Sequence, residues 1–199
     1  MARVSRVPCQ GRRLGQYRDH VRRRQSPPRE VTNALALRPR ERILASAADA
    51  SGAWIIATER ALYLPERDDG VKGPHHGIPW EEVEHAEWDR ESERLRVTQA
   101  APLGERMRSW ALRFDPPDQR LLALIRERIT ASVVVEQHVP LRGDVGVRVI
   151  ARRPPAAAPG ADTDLVWAVA FDEGIDPGDP ELLAAAQRAL DSVRAEIEP

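Results

Sequence analysis

Ala53-Trp54-Ile55-Ile56-Ala57-Thr58-Glu59-Arg60-Ala61-Leu62-Tyr63-Leu64 decides how the chain is to be read. Two runs rich in β-branched and aromatic residues are broken only by the polar pair Glu59-Arg60, which predicts two strands joined by a tight turn. Upstream, Arg42-Ile43-Leu44-Ala45-Ser46-Ala47 makes an earlier strand, ended by Asp49-Ala50-Ser51-Gly52. Downstream, Pro65 is expected to stop the third strand, and a polar loop to run on to Gly77. Ile78-Pro79-Trp80 resumes, Val83 to Trp88 follows, and Leu95-Arg96-Val97-Thr98 alternates as a half-buried strand does. Trp110, Leu112 and Phe114 share one face of the seventh strand.

A helix is expected next, with Asp115 as its cap, Pro116 in its first turn, and Leu122, Ile125 and Ile129 as its apolar stripe. Val133-Val134-Val135 then returns the chain to strand as far as Leu141. Arg142 to Gly146 turns it, Val147 to Ala151 comes back, and Leu165 to Phe171 is a further strand. Asp179-Pro180-Glu181 opens a final helix with a cap, a proline and an acid where the helix dipole favours them. Leu183, Ala186, Leu190, Val193 and Ile197 form its stripe. The fold class is therefore α+β, mainly β. The expected divisions are a basic arm over 1–30, seven strands with a capping helix over 31–131, and a β-meander with a C-terminal helix over 132–199. About 60 residues make a marginal unit alone, so the last part can be an extension of the first core.

Charge is distributed unevenly. Residues 1–30 carry nine Arg against two acids, +7, and the remainder carries −8, which together give the net −1. Lys72 is the sole lysine beside 29 arginines, the bias that GC-rich coding writes, so arginine enrichment by itself is not evidence for nucleic-acid binding. The arm shows no helical or strand period and is read as disordered. It can act as an electrostatic tether to anionic membrane or nucleic acid. The preferred alternative is that it is translated upstream sequence, with Val31 marking a GTG start. No apolar run approaches the ~20 residues needed to cross a bilayer, and the N-terminus has no apolar signal core, which makes the cytoplasm the expected compartment. Cys9 is the only cysteine, so an internal disulfide and thiolate metal clusters are excluded.

Seven strands capped by one amphipathic helix is the element order of a pleckstrin-homology-like fold, and two short motifs sharpen the likeness. Ala57-Thr58-Glu59-Arg60-Ala61-Leu62-Tyr63-Leu64 resembles the hairpin of bacterial pleckstrin-homology and GRAM-like domains, in which a Thr ends one strand and a Leu with an aromatic opens the next. Ile78-Pro79-Trp80-Glu81-Glu82-Val83 resembles the entry of those domains into a later strand. The resemblance covers roughly residues 38–131, and the chain as a whole is similar to actinobacterial proteins. It implies lipid, peptide or protein binding, or scaffolding, because one fold hosts many functions. Phosphoinositide binders of this family place Lys and Arg around the first hairpin loop. Here that loop is Ala48-Asp49-Ala50-Ser51-Gly52, which argues against such a lipid.

Chemistry-bearing clusters are few. His75 and His76 are adjacent, so on a strand they face opposite ways, and no metal-ligand spacing surrounds them. They are read as part of a solvated loop, and no cofactor or metal is expected. Asp172, Glu173, Asp176 and Asp179 lack the alternation of a calcium loop and are explained by helix capping. Glu81, Glu82, Glu84 and Glu87 could supply an acid–base pair, but carboxylates on a half-exposed strand are ordinarily its solvent face. No nucleophile elbow, phosphate loop or dinucleotide fingerprint is present. Of the five Trp, Trp80 and Trp88 are flanked by acids and are expected to be partly exposed, an acidic-rimmed aromatic surface suited to a basic protein partner. A non-catalytic protein-interaction or scaffold module, by partner binding or self-association, is the leading expectation. Membrane or nucleic-acid binding through the arm is the alternative. An enzyme built on the 65–77 loop and the acidic strand is a third.

Overall fold

The computed structural model describes residues 26–68, 71–155 and 164–198. Most of the basic arm and the centre of the 154–160 loop lie outside the described residues. Three antiparallel sheets and three helices make up the fold. The first sheet joins β1 (Ile43–Ala48), β2 (Trp54–Thr58), β3 (Ala61–Asp68) and β4 (Val71–Pro79) in that order, and the second joins β5 (Val83–Asp89), β6 (Arg94–Gln99) and β7 (Arg108–Arg113). Both are open; no closed barrel forms among the described residues. Helix α2 (Gln119–Ser132) sits against β5, β1 and β2. Leu62, Leu64, Trp80, Val97, Leu112 and Ile125 fill the core between the sheets and this helix.

Two local readings are corrected. Pro65 does not end β3: it pairs with His75 inside a long hairpin, beside a register shift between Pro65 and Arg67. Proline cannot donate to a ladder but is accommodated at bulges, so the expected loop is the strand pair β3–β4. Asp115 does not cap α2. Asp118 does, its Oδ1 accepting the Leu121 N–H at 2.9 Å. In addition, the short helix α1 (Arg29–Asn33) begins inside the stretch assigned to the arm. Behind it Leu35 packs with Ile56, Ala61 and Tyr63 on the face of the first sheet turned away from α2.

The third sheet is a meander of β8 (Val133–Arg142), β9 (Val145–Arg152) and β10 (Val166–Phe171), covered by α3 (Pro180–Ile197). Asp179 caps α3 by accepting the N–H groups of Glu181 and Leu182, as expected. The buried face runs through Leu182, Ala186, Ala189 and Val193, and Ile197 is exposed. Val147, Val149, Ala186 and Val193 form a separate small core, joined by Leu103 from the β6–β7 loop. Arg152, 4% exposed, ties this unit to the first: its guanidinium donates to Ser132 Oγ at 3.0 Å and to the Glu84 carbonyl at 3.1 Å.

Candidate functional site

A cavity of about 490 Å³ lies along the full length of β1. It is bounded by β1 itself, by Ser26, Pro27 and Thr32 around α1, and by Phe114, Pro116, Asp118 and Arg120 at the entry to α2. Among the described residues β1 is an edge strand with β2 as its one ladder partner. Register fixes which of its backbone groups face the cavity. Ala45, Ala47 and Asp49 stand opposite Ala57, Ile55 and Ala53, and the Asp49 N–H donates to the Ala53 carbonyl at 2.8 Å. Because hydrogen-bonded pairs alternate along an antiparallel ladder, Ala45 and Ala47 turn their N–H and C=O groups toward β2, while a register shift between Ile43 and Ala45 reverses the parity upstream of them. Ser46 and Ala48 turn theirs outward, in one row with the Leu44 carbonyl and the Ala50 N–H. The two ends of that outward row are occupied: Arg120 donates to the Leu44 carbonyl at 3.0 Å, and the Ala50 N–H donates to the Arg113 carbonyl at 2.7 Å. Between them, nothing among the described residues pairs with the N–H and C=O groups of Ser46 and Ala48.

The residues singled out by sequence fall elsewhere. Trp80 is fully buried, and its indole N–H donates to the Thr58 carbonyl at 3.0 Å, so its expected exposure is overturned. An acidic neighbourhood in sequence placed it near the surface, but Trp80 opens the short 3₁₀ turn that also holds Glu81 and Glu82, and its ring fills the core while both acids are half-buried. Trp88 is half-buried, tilted against Phe114 with ring centroids 6.2 Å apart. His75 and His76 are half-buried on β4, in a strand where a solvated loop was expected. His75 Nε2 meets the Trp54 carbonyl at 2.9 Å, and His76 stacks on Trp110 with centroids 5.5 Å apart.

His76 is also the centre of a polar chain between the two sheets. Its Nε2 meets Gln99 Oε1 at 3.1 Å, and Gln99 in turn donates to Glu82 at 2.9 Å. Glu66 takes Arg108 at 2.9 Å, and the Arg108 guanidinium lies 5.2 Å from the Trp110 ring centroid. Sequence brings only His76 and Glu82 to notice; Gln99, Arg108 and Glu66 come from three other strands. These polar groups are matched to one another, so the arrangement holds the sheets together. Burial pushes the Glu81 carboxyl up, the neighbouring Glu82 charge adds to the rise, and its Oε2 has no hydrogen-bond partner among the described residues.

No protein-family model, curated protein or solved structure matches this chain.

The candidate site therefore rests on geometry alone. Among the described residues no group of three or more His, Cys, Asp or Glu side chains could hold a metal ion, and no helix is long and apolar enough to cross a membrane. The acids at 172–179 act as local acceptors: Asp172 Oδ2 takes the Gly146 N–H at 2.8 Å and His138 Nε2 at 2.7 Å, and Asp179 caps α3. The β1 groove was missed from sequence because Leu44-Ala45-Ser46-Ala47-Ala48 carries no conspicuous side chain. No Lys, Pro or inward charge marks it as an edge, and the register shift between Ile43 and Ala45, a common edge device, leaves no sequence signal of its own.

Proposed function

We propose that this protein is a non-catalytic interaction module of the cytoplasm, built on a pleckstrin-homology-like core that receives a protein partner in the groove beside β1. The observation that carries the reading is the unpaired row at Ser46 and Ala48, opening onto a cavity of the size that ligand sites occupy. The pleckstrin-homology-like assignment is supported by the division into four strands, three strands and a helix, and by the meeting of the two motif segments. Thr58 Oγ accepts the Arg60 and Ala61 N–H groups across the hairpin, and Trp80 reaches both the Arg60 and Thr58 carbonyls. The first hairpin loop adds no cation: Asp49 accepts the Ser51 and Ala53 N–H groups there, which supports a protein partner over an anionic lipid.

The reading is tested by affinity capture with a C-terminally tagged chain, comparing wild type with Ala48→Arg. A stoichiometric partner that survives moderate salt and is lost from A48R, with the melting temperature unchanged, is the expected result. A partner retained by A48R places the contact away from the groove. Recovery of the chain alone removes the interaction reading.

A further inference from the structure

We propose that the occupant of the β1 groove is an extended peptide segment of another protein, bound by adding a strand to the first sheet; this rests on the interaction reading above. The chemistry of the edge selects the ligand class. Ser46 and Ala48 present two N–H donors and two C=O acceptors, and in a β-strand residues two apart repeat at roughly 6.8 Å. A helix satisfies its own backbone groups and cannot answer that row, whereas an extended chain carries donor and acceptor at the same repeat. The occupied ends, Leu44 bound by Arg120 and Ala50 bound to Arg113, limit the pairing to the centre of the strand.

Charge does not select the partner. Among the described residues, Asp118 and Arg120 are the only ionised side chains lining the cavity, and both are engaged, one as the α2 cap and the other on Leu44. The remaining lining is small or apolar, so the fitting segment is uncharged where it lies against β1. A second copy of this chain fits less well. Its own β1 would have to enter between the α1 segment and the start of α2, and it carries the same two walls on either side.

The test uses the full chain and a phage-displayed library of random linear twelve-residue peptides. Selected peptides are expected to perturb amide resonances of residues 43–48 and 116–120 and to slow hydrogen exchange of the Ser46 and Ala48 amides at least tenfold. Ser46→Pro removes an outward N–H without breaking the ladder to β2 and is expected to weaken binding at least tenfold. Peptides that map to the groove without protecting these two amides overturn strand addition and leave the groove as an interaction site. The amide measurement needs no variant, so it decides even where S46P folds poorly. Peptides that map elsewhere, or a library that yields no binder, overturn both the strand addition and the groove.

Discussion

Asp172 shows how much a single carboxylate does in the C-terminal unit. Its Oδ2 gathers His138 from β8 and the Gly146 N–H from β9, just after β10 ends. The His138 hydrogen bond first, and the Gly146 N–H second, hold its carboxyl below the ordinary carboxylate range. The folded chain therefore binds that proton more weakly than the unfolded chain. The resulting stabilisation is complete above the unfolded value of about 3.9 and is lost as pH falls through the folded value. Asp172→Asn keeps an acceptor for Gly146 but cannot titrate. The gap in urea midpoint between wild type and D172N is expected to be open at pH 5 and to narrow by pH 2.5. A gap that does not change with pH refutes the assignment. Gly146 itself is obligatory, since a Cβ there would stand 2.0 Å from the Val139 carbonyl oxygen.

At the scale of elements, most strands were legible because side-chain alternation reports burial directly: Leu95 and Val97 are buried on β6, and Arg94 and Arg96, which alternate with them, are exposed. Two boundaries were not legible, for distinct reasons. Pro65 carries a strong local stop signal, and the pairing of β3 with β4 overrides it by means of a bulge. At α2, Asp115-Pro116 and Asp118 are both sound capping sequences, and only the path of the chain after β7 decides between them. Asp118→Ala is accordingly expected to cost about 1 kcal/mol in urea denaturation, and Asp115→Ala to cost a few tenths at most. The reverse order would restore the earlier cap. The groove was illegible at this scale, because an edge is defined by which neighbour a strand lacks, and no residue of β1 encodes that.

In the whole molecule, the two cores meet at one buried cation. Among the described residues Arg152 forms no ion pair and its Nε finds no partner; it satisfies Ser132 Oγ and the carbonyls of Ile129 and Glu84, and burial lowers its pKa against the opposing pull of Glu84 and Glu136. Arg152→Met keeps the volume but orphans these acceptors, and is expected to cost about 2–4 kcal/mol. Trp167 is the only Trp in the C-terminal unit and the other four lie in the first, which gives the loss a separate readout. In R152M the emission change that is absent from a Trp167→Phe background is expected to precede the remaining transition. Coincident transitions would show that Leu103 and the direct passage from α2 to β8 couple the units without Arg152. That passage has a mechanical meaning of its own. Ser132 ends the helix and Val133 begins the strand, and the Arg153 N–H is tied back to the Ser132 carbonyl at 2.9 Å. With no residue between helix and strand, the junction has no linker to act as a swivel, so a rotation of the third sheet would bear directly on the helix whose first turn lines the β1 groove.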